Sequence, residues 1–228
     1  MDVIRHEIVG DRVIHGEGTR LEEWRSCQIL QQMPEFDIPK IIPLDARVCI
    51  IAPHPDDEIL GCGGLIQRLD KLGYQIILFA VTNGTASHPG SSLYTPEELN
   101  QIRPAETRAA LEALPLKQNI LRIPLDIQDG KVAEQRDVLQ QHLQSYLQPN
   151  DVLISTFVHD GHPDHEITGQ VTQQLATELH LPCIQVLIWA WHWATPGDTR
   201  IPWTVAHQLK LTEEELQLSL IHISEPTR

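Results

Sequence analysis

Short runs of apolar residues recur along the chain and alternate with segments in which apolar side chains return every three or four positions. Runs that are apolar throughout are typical of strands buried on both faces of a sheet. Apolar residues spaced by three and four positions lie on one face of a helix. The sequence predicts strands over residues 48–52, 75–81, 119–123, 151–156 and 183–193, of which the first, VCIIA, is apolar throughout.

The segments between these runs carry helix signals. Gly73 is expected to end the first helix, because glycine readily adopts the left-handed conformation found after helices. Thr95 and Glu98 form a capping-box sequence that starts the second helix, and Pro104 is expected to break or restart it. The periodic segments predict helices over 59–72, from 96 onward, over 132–147 and over 166–179. This alternation predicts an α/β fold with a Rossmann-like, mostly parallel sheet and helices on both faces.

The length of 228 residues suits one compact domain, which we place at residues 46–217. Residues 1–45 are charged and end in prolines, so we expect an N-terminal extension with a short amphipathic helix within 21–33 that packs on the domain. Residues 218–228, LSLIHISEPTR, resemble the translation of a transposase sequencing-library adapter. We therefore expect this tail to be a cloning or assembly scar, and the domain to lack its C-terminal piece.

Charge and cysteine content narrow the classes of ligand and the cellular compartment. The chain has 17 Lys and Arg against 31 Asp and Glu, a net charge of −14, which disfavours binding to nucleic acid. No apolar run reaches the ~18 residues of a membrane span, and the first residues contain no apolar signal-peptide core. The four cysteines form no CxxC pair, so we expect a reducing, cytoplasmic location and no disulfide framework.

Two loops rich in histidine and aspartate follow predicted strands. Residues 53–58 read PHPDDE after the first strand, and residues 159–166 read HDGHPDHE after the fourth. Because the carboxyl ends of parallel strands lie at one edge of a sheet, we expect both loops to face one crevice. Imidazole and carboxylate groups together are a natural donor set for Zn²⁺. The sequence therefore predicts a metal or acid–base site at this edge.

The residues of the two loops divide between metal binding and proton transfer. A catalytic zinc ion uses three protein ligands and keeps one position open for water. His54 and Asp57 from the first loop and His165 from the second meet that count. Asp56 is then free to act as a base, and His162 is free to donate to a developing oxyanion.

The two loops also belong to longer motifs. HPDDE follows an apolar strand and is followed by GCGG, and HPDHE occurs later. Weaker matches are Thr82-Asn83-Gly84 to a T-x-G pattern, Arg103, Glu106 and Ala110 to R-x-x-E-x-x-x-A, and Asp129-Gly130 to a DG turn. From about Arg47 to Trp193, the chain thus resembles the PIG-L/LmbE family of zinc-dependent de-N-acetylases.

This resemblance implies a metal-dependent hydrolase that removes an N-acetyl group from an amino sugar or an amino-sugar conjugate. It implies that His54, Asp57 and His165 bind Zn²⁺, with Fe²⁺ as the alternative metal. Asp56 would be the general base for the water at the metal.

The resemblance assigns three further roles. His162 would stabilise the tetrahedral oxyanion or protonate the leaving amine, and Asp164 would orient it. Arg103 would contact the sugar or its substituent. The expected partner is a small N-acetylated amino sugar or glycoconjugate.

Other functions stay open at this point. The same site could cleave a different acyl amide, or the domain could bind metal without catalysis. A nucleotide-binding function is disfavoured, because GCGG lacks the GxGxxG pattern and follows an acidic motif.

Three features outside the motifs carry weaker expectations. The loop over 83–94 is either a substrate lid or a plain surface loop. His159 and Asp160 are expected to line the pocket without binding the metal. The last predicted strand carries alternating tryptophans, which we expect on one face as core residues: Trp189, Trp191 and Trp193.

Overall fold

The computed structural model describes residues 11–219. The tail expected over 218–228 therefore lies, apart from its first two residues, outside the described part of the chain. Ahead of the sheet come α1 (Leu21–Arg25), α2 (Gln28–Gln32) and α3 (Ile38–Ile41). The sheet and its helices follow as β1 (Arg47–Ala52), α4 (Asp57–Leu72), β2 (Gln75–Ala80), α5 (Pro96–Ala113), β3 (Leu121–Pro124), α6 (Arg136–Tyr146), β4 (Asp151–Thr156), α7 (Pro163–Leu179) and β5 (Cys183–Val186). Two short helices close the described chain: α8 (Ala190–Trp193) and α9 (Glu213–Ser219).

The five strands form one parallel sheet in the order β3-β2-β1-β4-β5. Strand β1 lies at its centre, with Val48 opposite Ile76 of β2 and Val152 of β4. The predicted α/β class with a parallel sheet is confirmed. The chain order reverses between β1 and β4, so the loops that follow these two strands lie side by side.

Helices cover both faces of the sheet, as predicted. Alternate residues of β1 point to opposite faces, because the side-chain period of a strand is two. Val48 and Ile50 pack in a core with α4, whereas Cys49 and Ile51 pack in a second core with α6 and α7. Gly169 lets α7 lie close to β4, since a Cβ atom there would be 2.5 Å from the carbonyl oxygen of Thr156.

The strand predicted over 183–193 is wrong beyond residue 186. Strand β5 ends there, and the chain turns into α8. The carboxylate of Asp160 accepts the backbone N–H groups of residues 188–190, which removes them from any ladder and bends the chain. The tryptophans at 189, 191 and 193 therefore do not share a strand face.

The predicted break at Pro104 is also wrong. Helix α5 runs without interruption from Pro96 to Ala113, and Pro104 is buried within it. Packing of the buried ring offsets the missing backbone donor, an example of tertiary context overriding local propensity. Among the described residues, no helix is both long and apolar enough to cross a bilayer.

The N-terminal segment packs against the sheet domain. The helix predicted within 21–33 forms as two short helices, α1 and α2, separated at Ser26 and Cys27. Trp24 is buried, donates its indole N–H to the carbonyl of Trp191 and packs edge-on against that ring. The division between an extension at 1–45 and a domain at 46–217 stays a prediction.

Candidate metal centre

The first motif forms the turn between β1 and α4. The carboxylate of Asp57 closes this turn by accepting the backbone N–H of His54 at 2.9 Å. Asp56 caps α4 with a φ of 135°, a conformation that L-residues rarely adopt, and its N–H donates to Glu58 Oε2. Strained backbone of this kind is concentrated at functional sites, where surrounding contacts enforce it.

The second motif forms the turn between β4 and α7 and meets the first motif across the adjacent strand ends. His54 Nδ1 lies 3.1 Å from His165 Nε2 and 3.3 Å from Asp57 Oδ2. The distance from His165 Nε2 to Asp57 Oδ2 is 3.1 Å. Bonds of about 2.0–2.1 Å to one tetrahedral ion would separate its ligand atoms by about 3.3 Å. The three donor atoms therefore fit one divalent cation.

The other ring nitrogen of His54 faces two carboxylates. Nε2 lies 3.2 Å from Asp129 Oδ1 and 3.3 Å from Asp164 Oδ2. These carboxylates also accept backbone N–H groups, Asp129 that of Ala86 and Asp164 that of Gly130. A metal-binding histidine usually donates its second N–H to a carboxylate, which leaves the first nitrogen unprotonated. We therefore assign the two aspartates to the orientation of His54.

Other sets of donor atoms also share His54. Ligand atoms of His54, Asp129 and Asp164 lie within 4.8 Å of one another, and so do those of His54, His162 and His165. In the triangle formed with Asp57, all three edges measure 3.1–3.3 Å. That this triangle is the metal-binding set, with the other two sets around it, stays a prediction.

His165 is held by Asp160. The Nδ1 atom of His165 lies 2.8 Å from Asp160 Oδ2, and both side chains are buried. An ionised carboxylate only accepts, so the proton of the imidazole belongs on Nδ1 and Nε2 is free to bind a metal. From its position in the sequence, Asp160 was expected only to line the pocket; the signal for its role is its place five residues before His165.

Electrostatic coupling across the triangle is strong. Burial alone would raise the pKa of Asp57, but the charges of His165 and His54 outweigh it and hold the pKa well below its usual range. Burial lowers the pKa of His165, yet Asp57 and Asp160 raise it to about 9. The group thus favours positive charge between its members, which a divalent cation supplies.

Asp56 lies beside the triangle and is held by Arg103. The guanidinium donates from Nη2 to Asp56 Oδ2 at 2.9 Å and to the carbonyl oxygen of Pro55 at 2.6 Å. Its Nη1 atom donates to Glu106 Oε2 at 3.2 Å. Desolvation and the charge of Asp57 raise the pKa of Asp56 to about 6, although Arg103 lowers it. The side chain of Asp56 keeps 35% of its surface exposed, so a water molecule can reach it.

His162 caps α7 next to the same centre. Its Nδ1 atom accepts the backbone N–H of Asp164, so the proton of the neutral ring belongs on Nε2. Its ring lies 4.8 Å from that of His54 and 5.0 Å from that of His165. Desolvation and these two rings lower the pKa of His162 to about 3.

One expected contact differs in the structure. The carboxylate of Asp164 was expected to orient His162, but it lies against His54 and the N–H groups of residues 130 and 132. The backbone of Asp164 contacts His162 instead. The reason is geometric, because the side chain at the second position of α7 points toward the 129–132 turn.

Residues 49–176 match the family model described as PIG-L, GlcNAc-PI de-N-acetylase. The chain belongs to the PIG-L family. The resemblance drawn from the sequence motifs is confirmed, and the matched range contains every residue of the candidate metal centre.

Two curated relatives of this PIG-L family member are deacetylases by name. A probable N-acetyl-alpha-D-glucosaminyl L-malate deacetylase 2 of Bacillus cereus is 28% identical over 142 residues, which is 60% of this chain and 63% of that protein. A diacetylchitobiose deacetylase of Thermococcus kodakarensis is 28% identical over 127 residues, which is 54% of this chain and 46% of that protein. The chain thus spans less than two thirds of the length of either relative.

A solved structure shares the fold. The N,N'-diacetylchitobiose deacetylase of Pyrococcus horikoshii, complexed with its inhibitor MPG, superposes with a TM-score of 0.58 at 22% sequence identity. The likeness covers 93% of this chain and 83% of that one. The α/β architecture of this PIG-L family member is therefore that of a known deacetylase structure.

The buried partner of His165 yields a prediction. We expect Asp160→Asn to weaken metal binding by about 10–100-fold, the usual effect of removing such a partner. The amide oxygen is expected to replace Oδ1, which accepts the N–H groups of Ile188 and Ala190. The amide NH₂ group then replaces Oδ2, faces His165 and the N–H of Trp189, and favours the His165 tautomer with Nε2 protonated. Titration with Zn²⁺ against a chromophoric chelator measures the change, and unchanged affinity would contradict the role of Asp160.

Proposed function

We propose that this PIG-L family member is a metal-dependent hydrolase that removes the N-acetyl group from an amino sugar or an amino-sugar conjugate. The observation that carries the proposal is the compact triangle of His54, Asp57 and His165 with a partly exposed carboxylate, Asp56, beside it. The substrate class is supported by the family description and by the substrates named for the relatives, an N-acetylglucosaminyl malate and diacetylchitobiose.

The metal in this proposal is Zn²⁺, with Fe²⁺ as the alternative. His54, Asp57 and His165 would hold it through two imidazole nitrogens and one carboxylate oxygen, a donor set that suits both ions. When bound, such an ion lowers the pKa of water and polarises the acetyl carbonyl.

Asp56 carries the proton in the proposed reaction. Its partly exposed carboxylate accepts a proton from the attacking water, and Arg103 orients that carboxylate by donating to Oδ2. The same proton is then available to the departing nitrogen. The amide and one water thus become acetate and a primary amine. The contact of Arg103 with the sugar stays a prediction, because three acceptors of the chain already occupy its guanidinium.

His162 supplies a hydrogen bond to the oxyanion in this proposal. Because its Nδ1 is taken by a backbone N–H, its Nε2–H is the ring donor left for an external oxygen. A neutral donor aimed at developing charge is typically worth about 3–4 kcal/mol in the transition state. We assign His162 this role rather than that of a proton donor to the amine.

We also propose that the protein works in the cytoplasm on a small-molecule substrate. The absence of CxxC pairs among the four cysteines supports a reducing cytoplasm. The acidic net charge of −14 supports a small-molecule substrate rather than nucleic acid.

Acetate release tests the proposed function. The protein, stripped with a chelator and then reloaded with Zn²⁺ or Fe²⁺, is incubated with N-acetylglucosamine, diacetylchitobiose and N-acetylglucosaminyl malate. We expect equal amounts of acetate and free amine, loss of activity on chelation and recovery on reloading. Hydrolysis of other acyl amides but of no N-acetyl sugar would favour an amidase. Bound metal without any turnover would favour a metal-binding protein.

A further inference from the structure

The N-terminal segment over 11–14 lies across the loop that carries the second motif. This segment is outside the range that matches the family model, which begins at residue 49. Arg12 and Ile14 contact the loop directly, and Asp11 is linked to it through Arg200 and Trp193. The three links are an ion pair, an apolar contact against a glycine, and a second ion pair to a cation that stacks on an indole.

The ion pair joins Arg12 to Glu166. The guanidinium donates from Nε to Oε1 at 2.9 Å and from Nη2 to Oε2 at 3.1 Å, a two-pronged contact between planar groups. The side chains are 18% and 7% exposed, so water competes little with the pair. Glu166 follows His165 in the chain, and its Oε1 also accepts the N–H of Gly161. Arg12 thus holds the Glu166 carboxylate, which in turn links the last residue of the motif to Gly161 near its start.

The apolar contact involves Gly161, which has a φ of +97°. A Cβ atom at this position would lie 2.9 Å from Trp193 Cδ1 and 3.1 Å from Ile14 Cγ2. The loop backbone at Gly161 is therefore packed between the N-terminal segment and α8. Trp193 also donates its indole N–H to the carbonyl oxygen of Asp160 at 2.7 Å.

The stacked cation is Arg200. Its guanidinium carbon lies 4.5 Å from the centre of the Trp193 ring, and its Nη1 lies 2.7 Å from Asp11 Oδ1. Asp11 therefore reaches the same loop through Arg200 and Trp193. The N-terminal segment and the 188–200 region together enclose the loop from two sides.

These contacts lead to the candidate metal centre in few steps. The loop of the second motif contains Asp160, whose carboxylate contacts His165, and His162, which faces the same centre. Glu166, held by Arg12, is the next residue after His165 in α7. We infer that Arg12 is a positioning residue, which sets the geometry of His165 through Glu166. This inference rests on the proposed metal site.

Cobalt binding tests this inference without any substrate. Co²⁺ is titrated into the chelator-stripped full chain, and the visible spectrum gives both the dissociation constant and the ligand geometry. We expect Arg12→Ala to raise the dissociation constant by about tenfold and to change the visible bands. Arg12→Lys keeps the charge but not the fork, and is expected to fall between that variant and the wild type. Arg25→Ala, at an exposed arginine of α1, is the matched control and should bind as the wild type does.

A double variant tests the route through Glu166. If Arg12 acts through Glu166, Arg12→Ala should add little once Glu166→Gln is present, so the two effects should not sum. Wild-type affinity and spectrum in both Arg12 variants would overturn the inference alone. An equal loss in the Arg25 variant, or additive effects in the double variant, would also overturn it. A wild-type protein that binds no cobalt would overturn the proposed metal site together with the inference.

Discussion

Asp56→Asn is expected to lower kcat by about 10²–10⁴-fold while the protein keeps its metal. Asparagine has nearly the same volume as aspartate, and its oxygen can still accept the 2.9 Å hydrogen bond from Arg103. It cannot take a proton from water. Asp56 is also outside the triangle of donor atoms, so metal affinity should change little. The measurement pairs acetate release with elemental analysis of the same preparation.

The matched control for this variant is Asp137→Asn. Asp137 is an exposed carboxylate in the first turn of α6, away from both motifs. It should show wild-type kcat and metal content. If Asp56→Asn turned over as fast as the control, the assignment of Asp56 as the base would be wrong. If it lost its metal as well, Asp56 would belong to the donor set.

His165→Ala is expected to abolish tight metal binding and, with it, turnover. The wild-type protein should carry about one zinc or iron ion per chain, and the variant close to none. The loss is severe because His165 supplies one of three donor atoms and leaves Asp57 facing only His54. Mass spectrometry of elements measures the content and identifies the metal.

Two comparisons make the His165 result decisive. His142→Ala replaces an exposed histidine of α6 and should keep full metal content. Asp129→Asn removes a carboxylate that contacts His54 but that we place outside the donor set. Retention of metal in the His165 variant together with its loss in the Asp129 variant would transfer the site to the set of His54, Asp129 and Asp164.

Two expectations from the sequence were wrong because contacts formed only in the folded chain decide the local structure. The expectation of a strand over 183–193 followed local apolar content, but the turn after residue 186 depends on the carboxylate of Asp160. Pro104 was expected to interrupt a helix, and its burial in α5 overrides that preference. In both cases, a tertiary contact outweighs a propensity worth a few kcal/mol at most.

The sequence by itself determined the parallel α/β fold, the two histidine–aspartate loops and their place at one sheet edge, because apolar periodicity and strand ends are local properties. It also singled out His54, Asp56, Asp57, His162 and His165 as the residues for a metal and its chemistry. Only the tertiary structure decided which nitrogen of each histidine faces the centre. That choice depends on Asp160, Asp129 and Asp164, which meet their partners through folding. The contact of Arg12 with Glu166, 154 positions apart, has no local signature at all.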